Sequence, residues 1–353
     1  MDPTMQSPVG CTELPEMMRP LIEVRSLKKY FPLKRGVFRR KEHLVKAVDG
    51  VTFDVYPRET LALVGESGCG KTTLARVILG LTSPTEGTVK FMGKDLDKLE
   101  KHEMKKIRRD IQIVFQNPYA SLNPRQRIEQ ILSLPLKTHH ISKKEDIKKR
   151  VKELLEQIGL SPADQYLDKH PHELSGGQRQ RIGIARAIAL NPKIIICDEP
   201  VSALDMSVRG QILNLLKQLQ ADYGLTYIFI THDLTVVRTM AARVATMYLG
   251  KIVELATEDL FANPLSPYTQ ALMNATPRPN PRITRSRKRL VITGEVSSPI
   301  DPPTGCRFHP RCPIAMEVCS KVDVPLEETR KNHWVACHAI NRDPSHSTIA
   351  FKT

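Results

Sequence analysis

The octapeptide Gly65-Glu66-Ser67-Gly68-Cys69-Gly70-Lys71-Thr72 constrains this chain more than any other segment. It fits G-x-x-x-x-G-K-[ST], in which a glycine-rich loop turns backbone N–H groups inward on phosphate oxygens and runs into a helix N-terminus of partial positive charge. The apolar run TLALV at 60–64 precedes it, and a helical pattern from Lys71 to about Leu79 follows. Strand, glycine loop and helix in this order predict an α/β sheet with phosphate at the C-terminal end of the strand. Gly65, Ser67, Gly68, Cys69 and Gly70 then form the cradle. Lys71 is expected to reach the β- and γ-phosphates, Thr72 to offer its hydroxyl to Mg²⁺, and Thr73 to touch the α-phosphate.

A second segment supplies carboxylates. KIIICDEP at 193–200 reads as a buried strand ending in two acids. Asp198 is placed to hold Mg²⁺ and Glu199 to polarise an attacking water as general base. The runs IQIVF (111–115), YIFITHD (227–233) and RVATMY (243–248) alternate with helical patterns such as QILNLLKQLQADYG. That alternation predicts a mostly parallel sheet covered on both faces. LIEVRSL (21–27) and AVDGVTFDV (47–55) instead alternate apolar and polar residues, as antiparallel strands with one solvated face do.

The stretch from about 117 to 190 reads as mostly helical. Within it Ser142 and Glu145 stand in capping-box spacing, and Ile147, Val151, Leu154, Leu155 and Ile158 share one helical face. Lys143, Lys144, Lys148, Lys149 and Arg150 occupy the remainder, which reads as a solvated face.

Composition limits the classes open to the chain. Its 353 residues give room for one large α/β domain and an appendage, or for two modest domains. With 53 Lys and Arg against 38 Asp and Glu, the net charge of +15 suits nucleic acid, phosphate ligands or an anionic membrane surface. A merely solvated basic surface is the plainer account. No run of ~18 consecutive apolar residues is present, so no membrane span is expected. The first twenty residues lack the basic and apolar regions of a secretory signal.

Of seven cysteines, Cys69 and Cys197 lie in the nucleotide motifs and Cys11 stands alone. Cys306, Cys312, Cys319 and Cys337 cluster near the C-terminus. In a reducing compartment such a cluster points to metal ligation rather than disulfides. Spacing leaves zinc and a [4Fe–4S] cluster both open: there is no CxxC pair and no ferredoxin run, although Pro313 follows Cys312. His309 and His338 compete for a zinc site.

The segment ELSGGQRQR (173–181) narrows the reading. A Ser-Gly-Gly turn opening a helix is a second anion-binding helix end in a chain with only one lysine cradle. Leu174 to Gln178 (LSGGQ) resembles the signature sequence of ABC ATPases. The resemblance implies a P-loop α/β nucleotide-binding domain with an antiparallel β subdomain and a helical subdomain, binding ATP and Mg²⁺. It further implies a head-to-tail dimer, in which Ser175, Gly176, Gly177 and Gln178 of one subunit close on the ATP of the other. Gln116 resembles the Q-loop glutamine that senses Mg²⁺ and water, Asp205 of SALD (202–205) the D-loop aspartate, and His232 the switch histidine at the γ-phosphate. Phe31, with Tyr30 as the other register, resembles the aromatic that stacks on adenine.

Further strings resemble the ATPases of oligopeptide and dipeptide importers: LKKYFPLKRG, QNPYASLNPR, NPLSPYTQALMNATP and GCRFHPRCPIAMEVC. The first of these favours the subunit usually placed second in such operons. The resemblance implies ATP-driven peptide uptake at the cytoplasmic face of a membrane. Its expected partners are a homologous ATPase, two permease subunits and an extracytoplasmic binding protein. Among metals it favours a [4Fe–4S] cluster on the four C-terminal cysteines. The expected division is a loose extension at 1–19, the ATPase domain at 20–275, a linker at 276–304, a small Cys-rich extension at 305–340 and a tail at 341–353. Uptake of nickel or another small solute is the nearest alternative. An ABC ATPase acting on nucleic acid is a second, which lacks any recognisable nucleic-acid-binding module.

Overall fold

The computed structural model describes residues 19–33, 43–140, 144–275, 294–295 and 297–343. The extension at 1–18, Cys11, Ser142, the side chain of Glu145, most of the linker and the tail beyond 343 lie outside the described residues.

Two sheets organise the chain. The smaller is antiparallel, in the order β2 (His43–Val55), β1 (Ile22–Leu33), β4 (Glu86–Phe91), β5 (Lys94–Asp95). Ile22 and Val24 of β1 point into the core, after which the register shifts and Ser26 takes φ 45°. This bulge resets the two-residue alternation, so that Leu27 is also buried.

Among the described residues the larger sheet has eight strands. Its parallel part runs β6 (Ile111–Val114), β7 (Ile194–Asp198), β8 (Thr226–Thr231), β3 (Thr60–Val64), β9 (Arg243–Tyr248). Every residue of β3, β7 and β8 is buried, as continuous apolar strands covered on both faces require. β10 (Lys251–Thr257) returns antiparallel on β9, and β12 (His333–Val335) and β11 (Glu327–Arg330) extend the same edge. Part of the Cys-rich segment thus belongs to the main sheet rather than forming a layer of its own.

Helices flank these sheets. α1 (Lys71–Ile78) lies between them and buries Leu74, Val77 and Ile78 in a core shared with β1, β2, β3 and β4. α2 (Lys101–Asp110) leads into β6. A helical layer contains α3 (Pro118–Ser121), α4 (Ile128–Thr138), α5 (Lys144–Gln157), α6 (Asp164–Leu167) and α7 (Gly176–Ile188). The face of α5 expected from its periodicity is the one buried, with Val151, Leu154, Leu155 and Ile158 fully enclosed and Lys148 and Lys149 exposed. α8 (Met206–Tyr223), α9 (Leu234–Met240) and α10 (Pro267–Ala275) follow their strands, and α11 (Glu317–Lys321) and α12 (His338–Arg342) belong to the cysteine segment. Among the described residues no helix is long and apolar enough to cross a membrane.

One buried acidic side chain ties the C-terminal strands to the core. Glu254 of β10 is fully enclosed and accepts hydrogen bonds from the backbone N–H groups of Leu265 (2.6 Å) and Ser266 (3.0 Å). His333 of β12 meets the same carboxylate at 2.7 Å. Removing one member of such a set leaves buried polar groups without partners. Glu254→Ala is therefore expected to lower stability by about 3–5 kcal/mol, read as a fall in the thermal midpoint. An unchanged midpoint would mean that β12 is not anchored through this residue.

Candidate functional site

The C-terminal ends of β3, β7 and β8 converge on one cleft of about 690 Å³. Its floor is the phosphate loop, contributed by Ser67, Gly68, Gly70, Lys71, Thr72 and Thr73. Backbone geometry explains two of the glycines. Gly65 has φ 153° and Gly70 φ 109°, and a Cβ on either would stand 2.1 Å from the Met247 carbonyl oxygen or 2.0 Å from that of Ala47. Any side chain there would displace the loop from the strands beneath it. The buried Lys71 ammonium donates to the carbonyl oxygens of Gly65 (2.8 Å) and Glu66 (2.9 Å), which places its charge inside the loop. Cys69 is buried beside it, and burial raises its thiol pKa.

The carboxylates lie opposite. Asp198, the last residue of β7, is buried, and the Thr72 hydroxyl reaches its Oδ1 at 3.4 Å. Burial raises the Asp198 pKa, while the Thr72 hydrogen bond opposes that shift. A hydroxyl and a carboxylate facing each other across the loop are hard oxygen donors of the kind Mg²⁺ takes alongside phosphate and water. Thr72 and Asp198 are the residues that fit the ion, and Gln116 lines the same cleft.

Successive side chains on a strand point to opposite faces, so adjacency alone would separate Asp198 from Glu199. The chain leaves β7 at Glu199 with φ 48°, a left-handed turn pinned by the Glu199 N–H on the Ile230 carbonyl at 2.9 Å. Glu199 consequently lines the cleft, where its carboxylate accepts from Gln116 Nε2 at 2.6 Å and meets His232 Nδ1 at 3.1 Å. One carboxylate, one amide and one imidazole are thus assembled from the ends of β6, β7 and β8. Such a group can accept a proton from a water and orient it toward a phosphate held by the loop.

Of the two aromatic residues considered on β1, Phe31 faces the cleft. Phe31 is 40% exposed and lines the cleft with Val45 and Ala47. Tyr30 is held elsewhere, its hydroxyl donating to Asp49. Pro299 forms part of the same wall, and the carbonyl of that residue accepts from the Lys46 N–H at 3.0 Å. No motif marked Pro299, because it reaches the cleft only through its contact with β2.

Two expected groups stay outside the cleft. Ser175 caps α7, accepting from the Gln178 N–H at 3.2 Å while its own N–H donates to Gln178 Oε1 at 2.9 Å. This reciprocal cap presents Ser175 to solvent, with Gly176 and Gly177 following it into the first turn. Gly177 packs so closely on α8 that a Cβ would lie 2.5 Å from Val208 Cγ1. Asp205 caps α8 by accepting from the Val208 N–H at 2.9 Å, a bond that lowers its pKa, and it too is exposed. Neither group lines the cleft of its own chain.

Cys306, Cys312, Cys319 and Cys337 line one small, mostly apolar pocket together with Phe308, His309 and His338. Burial raises the thiol pKa of Cys306 to about 11 and of Cys312 to about 12. Among the described residues, however, no group of three or more His, Cys, Asp or Glu is arranged to hold a metal ion. This arrangement supports neither the [4Fe–4S] cluster expected on these cysteines nor the alternative zinc site. His309 and His338 are turned aside, with ring nitrogens on the carbonyls of Cys306 (2.9 Å) and Val322 (3.0 Å).

Comparison with known proteins agrees with this geometry. A family model described as ABC transporter matches residues 48–202, and one described as oligopeptide/dipeptide transporter, C-terminal region, matches 253–319. The chain is 49% identical to the oligopeptide transport ATP-binding protein AppF of Bacillus subtilis over 90% of its own length and 97% of the relative's. It is 50% identical to OppF of Salmonella typhimurium, covering 91% and 97%. With the dipeptide transport ATP-binding protein DppF of Escherichia coli it shares 46% over 94% and 98%. Among solved structures it resembles a dimeric ATP-binding cassette in a post-hydrolysis state bound to ADP and phosphate, with TM-score 0.59 and 31% identity over 67% of this chain and 98% of that one. The structure of cbiO1 from Clostridium perfringens, part of the ABC transporter complex cbiONQ, aligns with TM-score 0.58 and 28% identity over 69% and 91%. From the loop, the acidic strand end and these near full-length matches together, the chain belongs to the ABC transporter ATP-binding proteins of the oligopeptide and dipeptide group.

Proposed function

We propose that this subunit powers uptake of di- and oligopeptides by hydrolysing ATP at the cleft, as one half of a head-to-tail pair with a homologous ATPase. ATP hydrolysis itself follows from membership of the family. The observation that carries the paired reading is the separation of two anion-binding helix ends in one chain. Lys71 and its loop lie in the cleft, while the Ser175 cap is exposed outside it. A neighbouring molecule's Ser-Gly-Gly turn would supply the missing donors to the γ-phosphate.

In this mechanism the loop N–H groups and Lys71 hold the phosphates, and Phe31 stacks on adenine. Thr72 and Asp198, with Gln116, would hold Mg²⁺, which would neutralise phosphate charge. Glu199 takes the proton of the attacking water as its oxygen adds to the γ-phosphorus and the bond to ADP breaks. Gln116 and His232 orient the Glu199 carboxylate. Asp205 and Ser175 act across the dimer interface. The two permease subunits and an extracytoplasmic binding protein complete the machine, with the ATPases peripheral on the cytoplasmic face of the membrane. Cargo is chosen by those partners.

Co-purification from detergent-solubilised membranes tests the assembly, and the expected result is recovery of a second ATPase and two permeases. Within that complex Ser175→Arg should reduce ATPase activity at least about 100-fold while leaving the chain folded, since a bulky cation would occupy the partner's γ-phosphate site. Full activity of a strictly monomeric preparation would overturn the paired mechanism.

A [4Fe–4S] cluster at the C-terminal cysteines is a second reading, supported by the four thiols lining one pocket and by the family resemblance. Cys306, Cys312, Cys319 and Cys337 would hold it. Its iron–thiolate bonds would pin a segment too short to build a large core. Anaerobically purified protein is expected to be brown, with about four irons per chain. Colourless, iron-free protein with the same fold would end this reading.

A further inference from the structure

The cysteine segment reaches the phosphate loop and the β1–β2 sheet through two arginines that no motif marks. Arg307 and Arg311 fall between Cys306 and Cys312, and their side chains are only 6% and 8% exposed. Arg311 extends its guanidinium fork to the phosphate loop, with Nη1 on Glu66 Oε2 at 3.1 Å and Nη2 on Glu66 Oε1 at 3.3 Å. Nη1 also donates to the Tyr248 hydroxyl at 3.3 Å. Arg307 donates through Nη1 to the Leu249 carbonyl and through Nη2 to Asp49 Oδ2. Asp49 in turn holds the Tyr30 hydroxyl. Because neighbouring residues on a strand face opposite ways, fixing Tyr30 on Asp49 turns Phe31 toward the cleft.

The surroundings are built as a support. The Glu66 N–H donates to the Tyr268 hydroxyl at 3.0 Å, and the Gly250 N–H donates to the Cys69 carbonyl at 2.8 Å. Tyr248, Tyr268 and Phe308 pack with ring centroids 4.7–5.4 Å apart, and Cys306 and Cys312 lie against this cluster. Neither arginine lines the cleft.

We propose that Arg311 and Arg307 are positioning residues for nucleotide binding. Arg311 sets the phosphate loop through Glu66, and Arg307 sets the base-stacking strand through Asp49. The Cys306–Cys312 segment therefore braces both ends of the nucleotide. This inference rests on the reading of the cleft as the ATP site.

The two arms predict different losses, which a general weakening of the fold would not produce. Binding of ATP and of tripolyphosphate, which lacks the base, is measured with Mg²⁺ on the full chain. Arg311→Ala should weaken both ligands about tenfold, the scale of losing a charged hydrogen-bond pair. Arg307→Ala should weaken ATP by about the same factor and leave tripolyphosphate unchanged. Arg311→Lys, which keeps the charge without the fork, should fall between, and Glu66→Arg with Arg311→Glu should recover most of the loss. Parental affinities in both alanine variants, or equal loss of both ligands in both variants, would overturn the proposal. Tripolyphosphate binding that survives Lys71→Ala would instead overturn the placement of phosphate in this loop.

Discussion

Glu199→Gln is expected to bind ATP as the parent chain does while turnover falls about 10²–10⁴-fold, the usual contribution of a positioned base. The substitution is nearly isosteric, and its amide oxygen can still accept from Gln116 Nε2, which stands 2.6 Å from the carboxylate. What it lacks is a basic oxygen for the water proton. With binding intact and chemistry blocked, the paired subunits should accumulate in the ATP-bound closed dimer. Phosphate release and dimer content measured on the same preparation separate the two effects. A variant that turned over at the parental rate would assign the base elsewhere, with His232, 3.1 Å from Glu199, the next residue to test.

Lys71→Ala should act on the other side of the cycle, abolishing ATP binding rather than chemistry. The ammonium is buried and directed into the loop by the carbonyls of Gly65 and Glu66. Losing two charge-assisted bonds to phosphate at about 1.5–3 kcal/mol each raises the Kd for ATP by at least about 100-fold. The fold should persist, because β3 and α1 are held by apolar packing through Leu61, Leu63, Leu74 and Ile78. Binding titrations alongside thermal midpoints check this. A large drop in midpoint with unchanged affinity would give the lysine a structural role only.

Together the two variants distinguish the halves of the cleft. One removes the means of holding phosphate and the other the means of activating water, and the separate origins of the residues on α1 and after β7 make both substitutions local. If the thiol segment braces the cleft as inferred, its effects should resemble the lysine variant in kind, shifting affinity before turnover.

Much of this site was legible before any fold was known. The loop, the acidic pair, Gln116, His232 and the Ser175 turn are each local strings, in which chemistry dictates residue type at fixed spacing. Continuous apolar runs likewise marked β3, β7, β8 and β9, because strands buried on both faces admit few polar residues. β10 was hidden by the buried Glu254 at its centre, a residue that reads as solvent-facing until His333 and the 265–266 turn supply its partners. β11 and β12, EETR and HWV, are too short and polar to announce themselves.

Local sequence carried the candidate chemistry: the loop proposed to hold phosphate, the acid proposed to activate water, and a second helix end outside the cleft. Tertiary structure decided the rest. It turned Phe31 to the cleft while tying Tyr30 to Asp49, brought Glu199 into the cleft through a left-handed backbone, and set Arg311 on Glu66 across 245 residues of chain. The physical reason is range. Short motifs encode contacts made within a turn or two, whereas a hydrogen bond between distant segments depends on sheet order and register that no local pattern carries.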